Sequence, residues 1–211
     1  VLKNGQYSPQ QEMSMLSGIK FDKKDWQDLE KIDSVVAAVP VVFQSGSASY
    51  GREKTYVEII GTTAQMEEVR SLTPKAGLGR FFSQAEERRG KRVVVLGHQV
   101  AEDLFGQVNP VGKKIKIEDR RFTVIGVAPK KGGSGNMGVS LDQRVYIPYK
   151  ASWLMTDEEK FNFILVKVKE EQLIPEIKEK IKTLLLGRYD EDEFSVVDQT
   201  EILGVINNIL G

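Results

Sequence analysis

The chain contains no cysteine, and this absence excludes several kinds of chemistry. Its 211 residues also include a single histidine, His98. Disulfides, thiol nucleophiles and thiolate metal sites are therefore excluded. One histidine cannot form a histidine-based metal cluster. The sequence predicts neither a metal site nor a cofactor site.

An excess of charge of either sign is also absent. The chain has 30 lysine and arginine residues against 30 aspartate and glutamate residues. Net charge therefore provides no long-range attraction toward nucleic acid or anionic lipid, and we expect no nucleic-acid partner.

Long apolar runs are lacking as well. None reaches the ~18–20 residues that are needed to cross a bilayer, and no signal peptide is visible. The sequence starts at Val1 and stops within an apolar helical pattern at Leu210 and Gly211. We therefore expect a longer protein to continue on both sides.

Catalytic motifs are lacking too. The sequence has no G-x-S-x-G elbow, and no carboxylate lies in an apolar setting that would raise its pKa. The segment GQVNPVGKK has five residues between Gly106 and Gly112 where a phosphate-binding loop has four, and Lys114 occupies the position of the Mg²⁺-binding hydroxyl. We predict that the chain is not an enzyme.

The middle of the chain predicts a strand, a helix and a hairpin in succession. The apolar run Val93–Leu96 is typical of a buried strand. Apolar positions at helical spacing follow, and Gly106 ends them. Alternating apolar residues over 113–117 and 122–127, on either side of the turn residues Glu118 and Asp119, predict a β-hairpin.

Helix-capping patterns and alternation predict further elements on both sides. Asp22 followed by Asp25 predicts the start of a helix over 22–33, and Ser83 followed by Glu86 predicts a second capping box. Other strands are predicted at 35–43, with Pro40 favouring an edge or a bulge, and at 54–60, 144–149, 161–168 and 194–197. Other helices are predicted at 63–69, 148–155, 171–186 and from Asp198 to the end of the chain.

These elements fall into two groups. Residues 1–69 and 149–211 mix helices with strands, whereas residues 70–148 are rich in strands and turns and contain one short helix. The predicted fold class is α+β, with a discontinuous α/β subdomain that is interrupted by a smaller, mostly β insert.

The chain is richest in glycine just before the strand at 144–149. Gly132, Gly133, Ser134 and Gly135 lie there. Backbone N–H groups of such a segment can bind an anion, but an ordinary loop tip is the commoner role. Because surface loops often contact partners, we predict that these four residues contact an adaptor protein or a second copy of the chain.

A family resemblance lies in the middle stretch. It reads VVLG-x3-A-x2-LFG-x3-PVGK-x-I-x-I, followed by F-x-VIGV. This pattern resembles the signature of the MacB-type periplasmic core domain of FtsX-like ABC transporter permeases. Its most distinctive positions, for which we predict a structural role, are Gly97, Leu104, Phe105, Gly106, Pro110, Gly112 and Gly126.

The resemblance implies an architecture and a set of partners. Residues 1–69 and 149–211 would form the family's discontinuous porter part, and residues 70–148 its inserted sabre part. The parent permease would have four transmembrane helices, with this domain between the first two on the extracytoplasmic side of the cell membrane. Its partners would be those helices, a cytoplasmic ATPase that is fused or separate, a second permease copy and an adaptor protein.

The resemblance also implies a function. ATP-driven movement of the transmembrane helices would be transmitted to the export, extraction or sensing of a substrate outside the membrane. Three alternatives stay open: a substrate-binding or sensing module that transmits no force, a scaffold that recruits a cell-wall hydrolase, and an unrecognised hydrolase.

Overall fold

The computed structural model describes residues 20–132, 141–198 and 201. The chain divides into two compact units. The unit called here the end unit comprises the residues up to Ala38 and those from Ile164 onward, and the middle unit comprises Val39–Phe163.

The described residues contain both strands and helices, so the predicted α+β class is confirmed. The strands are β1 (Val35–Tyr50), β2 (Glu53–Thr62), β3 (Val93–Leu96), β4 (Lys114–Ile117), β5 (Arg120–Val127), β6 (Arg144–Pro148) and β7 (Phe163–Val168). The α-helices are α1 (Lys23–Leu29), α2 (Met66–Val69), α3 (Gln84–Arg88), α4 (His98–Phe105), α5 (Tyr149–Thr156) and α6 (Ile174–Leu186).

Six strands of the middle unit form one closed sheet. Their order is β2-β6-β3-β5-β4-β1, and β1 pairs again with β2. The strands β1 and β2 form a long hairpin, whose antiparallel register runs from Val42 opposite Gly61 to Tyr50 opposite Glu53. The pairs β2–β6 and β3–β5 are parallel. Closure removes the free strand edges that an open sheet would expose.

The core of the middle unit lies against the inner face of this sheet. The predicted strand, helix and hairpin are confirmed as β3, α4, β4 and β5. The helix α4 packs its apolar side against inward-facing strand residues. The largest fully buried side chains of this cluster include Phe122, Ile59, Leu96, Ile115, Ile117 and Ile147.

The capping box predicted at Ser83 is present at the start of α3. The Ser83 hydroxyl accepts a hydrogen bond from the Glu86 N–H at 3.3 Å, and the Glu86 carboxylate accepts one from the Ser83 N–H at 3.0 Å. The preceding Phe81 and Phe82 are buried, with ring centroids 4.4 Å apart. They pack in the protein interior, as an apolar pair normally does.

The end unit has a core of its own. Asp22 caps α1 in the predicted capping box with Asp25. Pro175 lies in the first turn of α6, where a missing N–H costs nothing. Apolar residues of α1, α6, β7 and the start of β1 pack together; the buried ones are Leu29, Ala38, Ile177, Ile181 and Leu185.

One element prediction is wrong. Residues 194–197 do not form a strand; Phe194 and Val196 instead pack their side chains against the apolar core of the end unit. The helix predicted over 63–69 is present at Met66–Val69; it begins three residues later than predicted, after a turn that follows the end of β2 at Thr62. Beyond Asp198 and Glu201, the predicted final helix lies outside the described residues.

The predicted subdomain boundaries at 69/70 and 148/149 do not coincide with the edges of the two units. The reason is the pairing of β2 with β6, which runs from Glu58 opposite Arg144 to Thr62 opposite Pro148. This pairing joins strands that the sequence assigned to different parts. The division into porter-like and sabre-like subdomains stays a prediction.

Candidate functional site

The glycine-rich segment is anchored at its base by Asp142. Gly132 has a φ of +62° and open space where a Cβ would lie, whereas Gly133, Ser134 and Gly135 lie outside the described residues. The Asp142 carboxylate accepts hydrogen bonds from the Lys131 N–H at 2.7 Å and the Gly132 N–H at 2.9 Å. Asp142 is itself buried, so this acid ties the two flanks of residues 133–140 together.

The backbone of Asp142 and Arg144, called here the anchor, packs against Gly97, the first of the distinctive positions. The Gly97 N–H donates to the Arg144 carbonyl at 2.7 Å. A Cβ on Gly97 would lie 2.3 Å from the Asp142 carbonyl oxygen and 2.6 Å from that of Arg144. Both neighbours are backbone atoms, so only glycine allows the start of α4 to approach this closely.

Beside the anchor, a charged pair is buried between β2 and β6. The Arg144 Nε donates to the Glu58 carboxylate at 2.7 Å, and the Glu58 side chain is only 4% exposed. These two residues lie opposite each other in the parallel register. Because each neutralises the other at short range, we assign this pair a structural role.

Three more distinctive positions lie around the end of α4. Leu104 and Phe105 are buried in the core, and the Phe105 ring lies 4.4 Å from that of Tyr50. Gly106 ends the helix with a φ of +58°, a conformation that glycine adopts without strain.

The remaining distinctive positions shape the hairpin of β4 and β5. Pro110 is buried. Gly112 has a φ of +83°, and its N–H donates to the Val124 carbonyl at 2.8 Å. A Cβ on Gly126 would lie 2.3 Å from the Arg80 carbonyl oxygen, because the segment before α3 crosses β5 there.

A second polar cluster lies in the end unit and joins segments distant in sequence. Asp25 on α1 is fully buried. Its carboxylate accepts hydrogen bonds from the Arg188 guanidinium and the Tyr189 hydroxyl, each at 2.5 Å, and from the Asp22 N–H at 2.8 Å. Burial, together with the hydrogen bond to Asp25, raises the pKa of Tyr189 above its ordinary value. The hydroxyl therefore stays protonated and keeps donating.

The same unit holds a further contact near residue 200. Lys178 on α6 donates to Asp198 at 3.0 Å and to Glu201 at 2.5 Å. Sequence reasoning identified Asp25, Asp198 and Glu201 only as helix-capping residues. It missed Arg188 because that residue follows Gly187, outside any periodic pattern.

These two clusters and the anchor hold structure together and show no reaction chemistry. Among residues 20–132, 141–198 and 201, no group of three or more histidine, aspartate or glutamate side chains could hold a metal ion. In the same part of the chain, no helix is both long and apolar enough to cross a membrane.

Comparison with known proteins gives relatives along most of the chain. The sequence is 31% identical over 195 residues to the macrolide export ATP-binding/permease protein MacB of Chlorobium luteolum, covering 90% of this chain. It is 29% identical over 192 residues to the MacB of Bdellovibrio bacteriovorus, covering 86% of this chain. The chain spans 29% of the length of each of these relatives.

Solved structures share the fold. The periplasmic region of MacB from Actinobacillus actinomycetemcomitans superimposes with a TM-score of 0.75 at 22% identity, covering 90% of this chain and 85% of that one. The extracellular domain of the ABC-type transporter YknZ from Gram-positive bacteria gives 0.72 at 22% identity, covering 85% and 90%.

The family assignment follows from the length of the match, which is longer than the stretch that carries the resemblance. The match to the MacB-like periplasmic core domain extends over residues 3–184; it therefore covers the middle unit and part of the end unit. The chain belongs to the family of MacB-like periplasmic core domains of ABC transporter permeases.

Proposed function

We propose that this domain transmits ATP-driven movement of transmembrane helices to a substrate outside the membrane. The relatives named above are ATP-binding/permease proteins. In this proposal the domain lies on the extracytoplasmic side of the cell membrane. It works with the permease's own transmembrane helices, with an ATPase that is fused or separate, and with a second permease copy.

The observation that carries the proposal is the link between α1 and the segment after α6. Residue Asp25 lies near the start of the described chain and Arg188 near its end, and the two are joined inside one compact unit. A displacement applied to α1 therefore reaches the other segment through a buried contact instead of being lost in a flexible joint.

Burial makes this link stiff. Asp25 is removed from water, so losing Arg188 would leave a desolvated carboxylate without the positive charge that compensates it. The apolar core formed by Leu29, Ile177, Ile181 and Leu185 surrounds the same helices and resists separation. A stiff body with few stable alternatives is what the transmission of movement requires.

The glycine-rich segment supplies the contact with a partner in this proposal. Asp142 holds the backbone of Lys131 and Gly132 in place at the start of this segment. An adaptor protein or the second permease copy would bind there.

Binding of a small molecule has less support. A surface depression lined by Glu170, Glu171 and Gln172 is wide open to solvent. It provides none of the enclosed apolar wall that is typical of small-molecule sites.

The test is to break the link in the full-length permease. Arg188→Ala removes the ion pairs of Arg188 with Asp25 and Asp28, and Tyr189→Phe removes one hydrogen bond with little change in shape. We expect both variants to hydrolyse ATP but to export less substrate per ATP, Arg188→Ala more strongly. Lys182→Ala, which breaks the exposed pair with Glu191 in the same unit, is the matched control and should export normally.

Normal export per ATP by a folded Arg188→Ala permease would contradict the proposal. Saturable binding of substrate to the isolated chain, with export insensitive to both link variants, would favour a binding or sensing module instead.

A further inference from the structure

The outer face of the closed sheet in the middle unit carries a row of positive charge. Lys54 lies opposite Ser49 in the β1–β2 pair. Ser49 lies opposite Lys116 in the β1–β4 pair, and Lys116 lies opposite Arg121 in the β4–β5 pair. These four residues therefore lie side by side across four neighbouring strands. They are called here the basic row: three cations and the neutral Ser49.

The side chains of the basic row point away from the core. Ala48 and Ile117, their neighbours along the strands, are fully buried, and successive side chains of a strand face opposite sides. Lys54, Lys116 and Arg121 are exposed. Because neighbouring strands are ~4.8 Å apart, the three cations lie within roughly 14 Å of one another.

None of these three cations has a hydrogen bond or an ion pair within the described part of the chain. The nearest acid along β4 is Glu118, and its carboxylate accepts hydrogen bonds from the N–H and the hydroxyl of Ser47. Like charges directly opposite each other in a sheet are destabilising. The Lys116–Arg121 pair therefore costs stability unless an anion from outside the chain lies over it.

Tyr56 indicates what kind of anion fits. Its side chain is 47% exposed, and it lies two residues from Lys54 on the same face of β2. Tyrosine and arginine are the residue types that contribute most to protein–protein interfaces. A phosphate polymer would gain much from the cations and little from an aromatic ring.

We infer that the basic row and Tyr56 bind an acidic segment of a partner protein. Alternate carboxylates of an extended segment lie roughly 6.8 Å apart, so two or three of them match the length of the row. The Arg121 guanidinium can bind one carboxylate through two parallel hydrogen bonds, with Lys116 beside it. The surface lies within the middle unit and does not depend on the proposed transmission of movement.

The test measures binding of a fluorescent oligo-glutamate peptide to the 211-residue chain at physiological salt. The double variant Lys116→Glu, Arg121→Glu should bind about tenfold more weakly or worse, because it removes two attractions and adds two repulsions. The control Lys75→Glu, Arg89→Glu changes net charge equally at exposed sites outside the sheet and should bind normally. Tyr56→Ala should also weaken binding without any change in charge.

Folding is checked independently with the single variant Lys116→Glu. The new carboxylate at position 116 faces Arg121 with an opposite charge. The variant should therefore unfold at a higher temperature than the parent chain while binding the peptide more weakly. Three outcomes would overturn the inference: no binding of the peptide by the parent chain, equal loss in both double variants, or tighter binding to phosphatidylglycerol vesicles or polyphosphate than to the peptide.

Discussion

The Arg188 guanidinium donates a hydrogen bond to the buried Asp25 carboxylate, across 163 positions of the sequence. The Tyr189 hydroxyl donates to the other oxygen of the same carboxylate. The Arg188 guanidinium also donates to the Asp28 carboxylate. Two acids of α1, of which Asp25 is fully buried, therefore hold the segment that precedes β1 against the segment that follows α6. A buried carboxylate destabilises the folded state when its partners are removed. This contact therefore contributes to holding the two segments together, unlike an exposed surface pair.

Removing the contacts of Asp25 with Arg188 and Tyr189 should destabilise the chain. We expect Arg188→Ala to lower the free energy of unfolding by about 3 kcal/mol, since Asp25 then stays buried without its main partner. Tyr189→Phe should cost about 1 kcal/mol, the value of one hydrogen bond. Urea titration of the two variants and of the parent chain measures both effects. If Arg188→Ala were as stable as the parent chain, the buried Asp25 would not depend on Arg188.

The capping acid Glu86 should make stability depend on pH. Hydrogen bonds from Arg80 hold the pKa of Glu86 well below its ordinary value of 4.5. A carboxyl with a lowered pKa stabilises the folded state above its unfolded pKa, and that contribution disappears as the pH falls through the folded pKa. At neutral pH, Glu86→Gln should therefore cost about 1–3 kcal/mol.

The difference between the parent chain and Glu86→Gln should shrink as the pH is lowered from 4.5. Urea midpoints measured from neutral pH to about pH 2 follow this change. Glu191→Gln serves as the control because its partner Lys182 is exposed, and its midpoints should follow the parent chain. A difference that stays constant across the range would contradict the assigned role of Glu86.

Phe105 should account for a large share of the stability of the middle unit. Its ring is buried against Tyr50, so Phe105→Ala should lower the free energy of unfolding by about 3–5 kcal/mol. Val108→Ala, at a side chain that is 62% exposed, is the control and should cost less than about 0.5 kcal/mol. A cost near zero for Phe105→Ala would mean that the helix α4 packs with a different face.

Gly97 should tolerate no side chain. In Gly97→Ala the new methyl group meets two backbone carbonyl oxygens, so we expect a loss of about 1–3 kcal/mol. Faster amide exchange at Lys131 and Gly132 should accompany it, because their acceptor Asp142 belongs to the displaced segment. Gly187→Ala, where the nearest atom is 3.3 Å away and φ is −70°, should be nearly neutral by the same measurements.

The sequence predicts the elements that local patterns specify. Asp22 and Ser83 begin helices because each has a capping partner three residues later, which is visible in the sequence. The alternation on both sides of Glu118 likewise predicts the hairpin of β4 and β5. The segment 194–197 misleads because β-branched residues favour a strand only when another strand pairs with them.

Contacts between distant parts of the chain leave no such local pattern. The pairing of Glu58 with Arg144 crosses 86 positions, and it explains why the boundaries of the units differ from those predicted. No sequence pattern marks Arg188 or Asp142 either, since each contacts a partner that only the fold brings close. The basic row is the clearest case, because its members come from two hairpins, β1–β2 and β4–β5, that are distant in sequence.

The transmission of movement can be measured directly in the full-length permease. The domain has no cysteine, so Val108→Cys in the middle unit and Leu186→Cys in the end unit, both at exposed side chains, introduce the only thiols of this domain. Spin labels at the two sites report their distance by pulsed electron paramagnetic resonance, once thiols elsewhere in the permease are removed. We expect the distance distribution to shift when ATP binds and to return after hydrolysis, with a smaller shift in Arg188→Ala. An identical distribution in both nucleotide states of an actively exporting permease would contradict the proposed transmission.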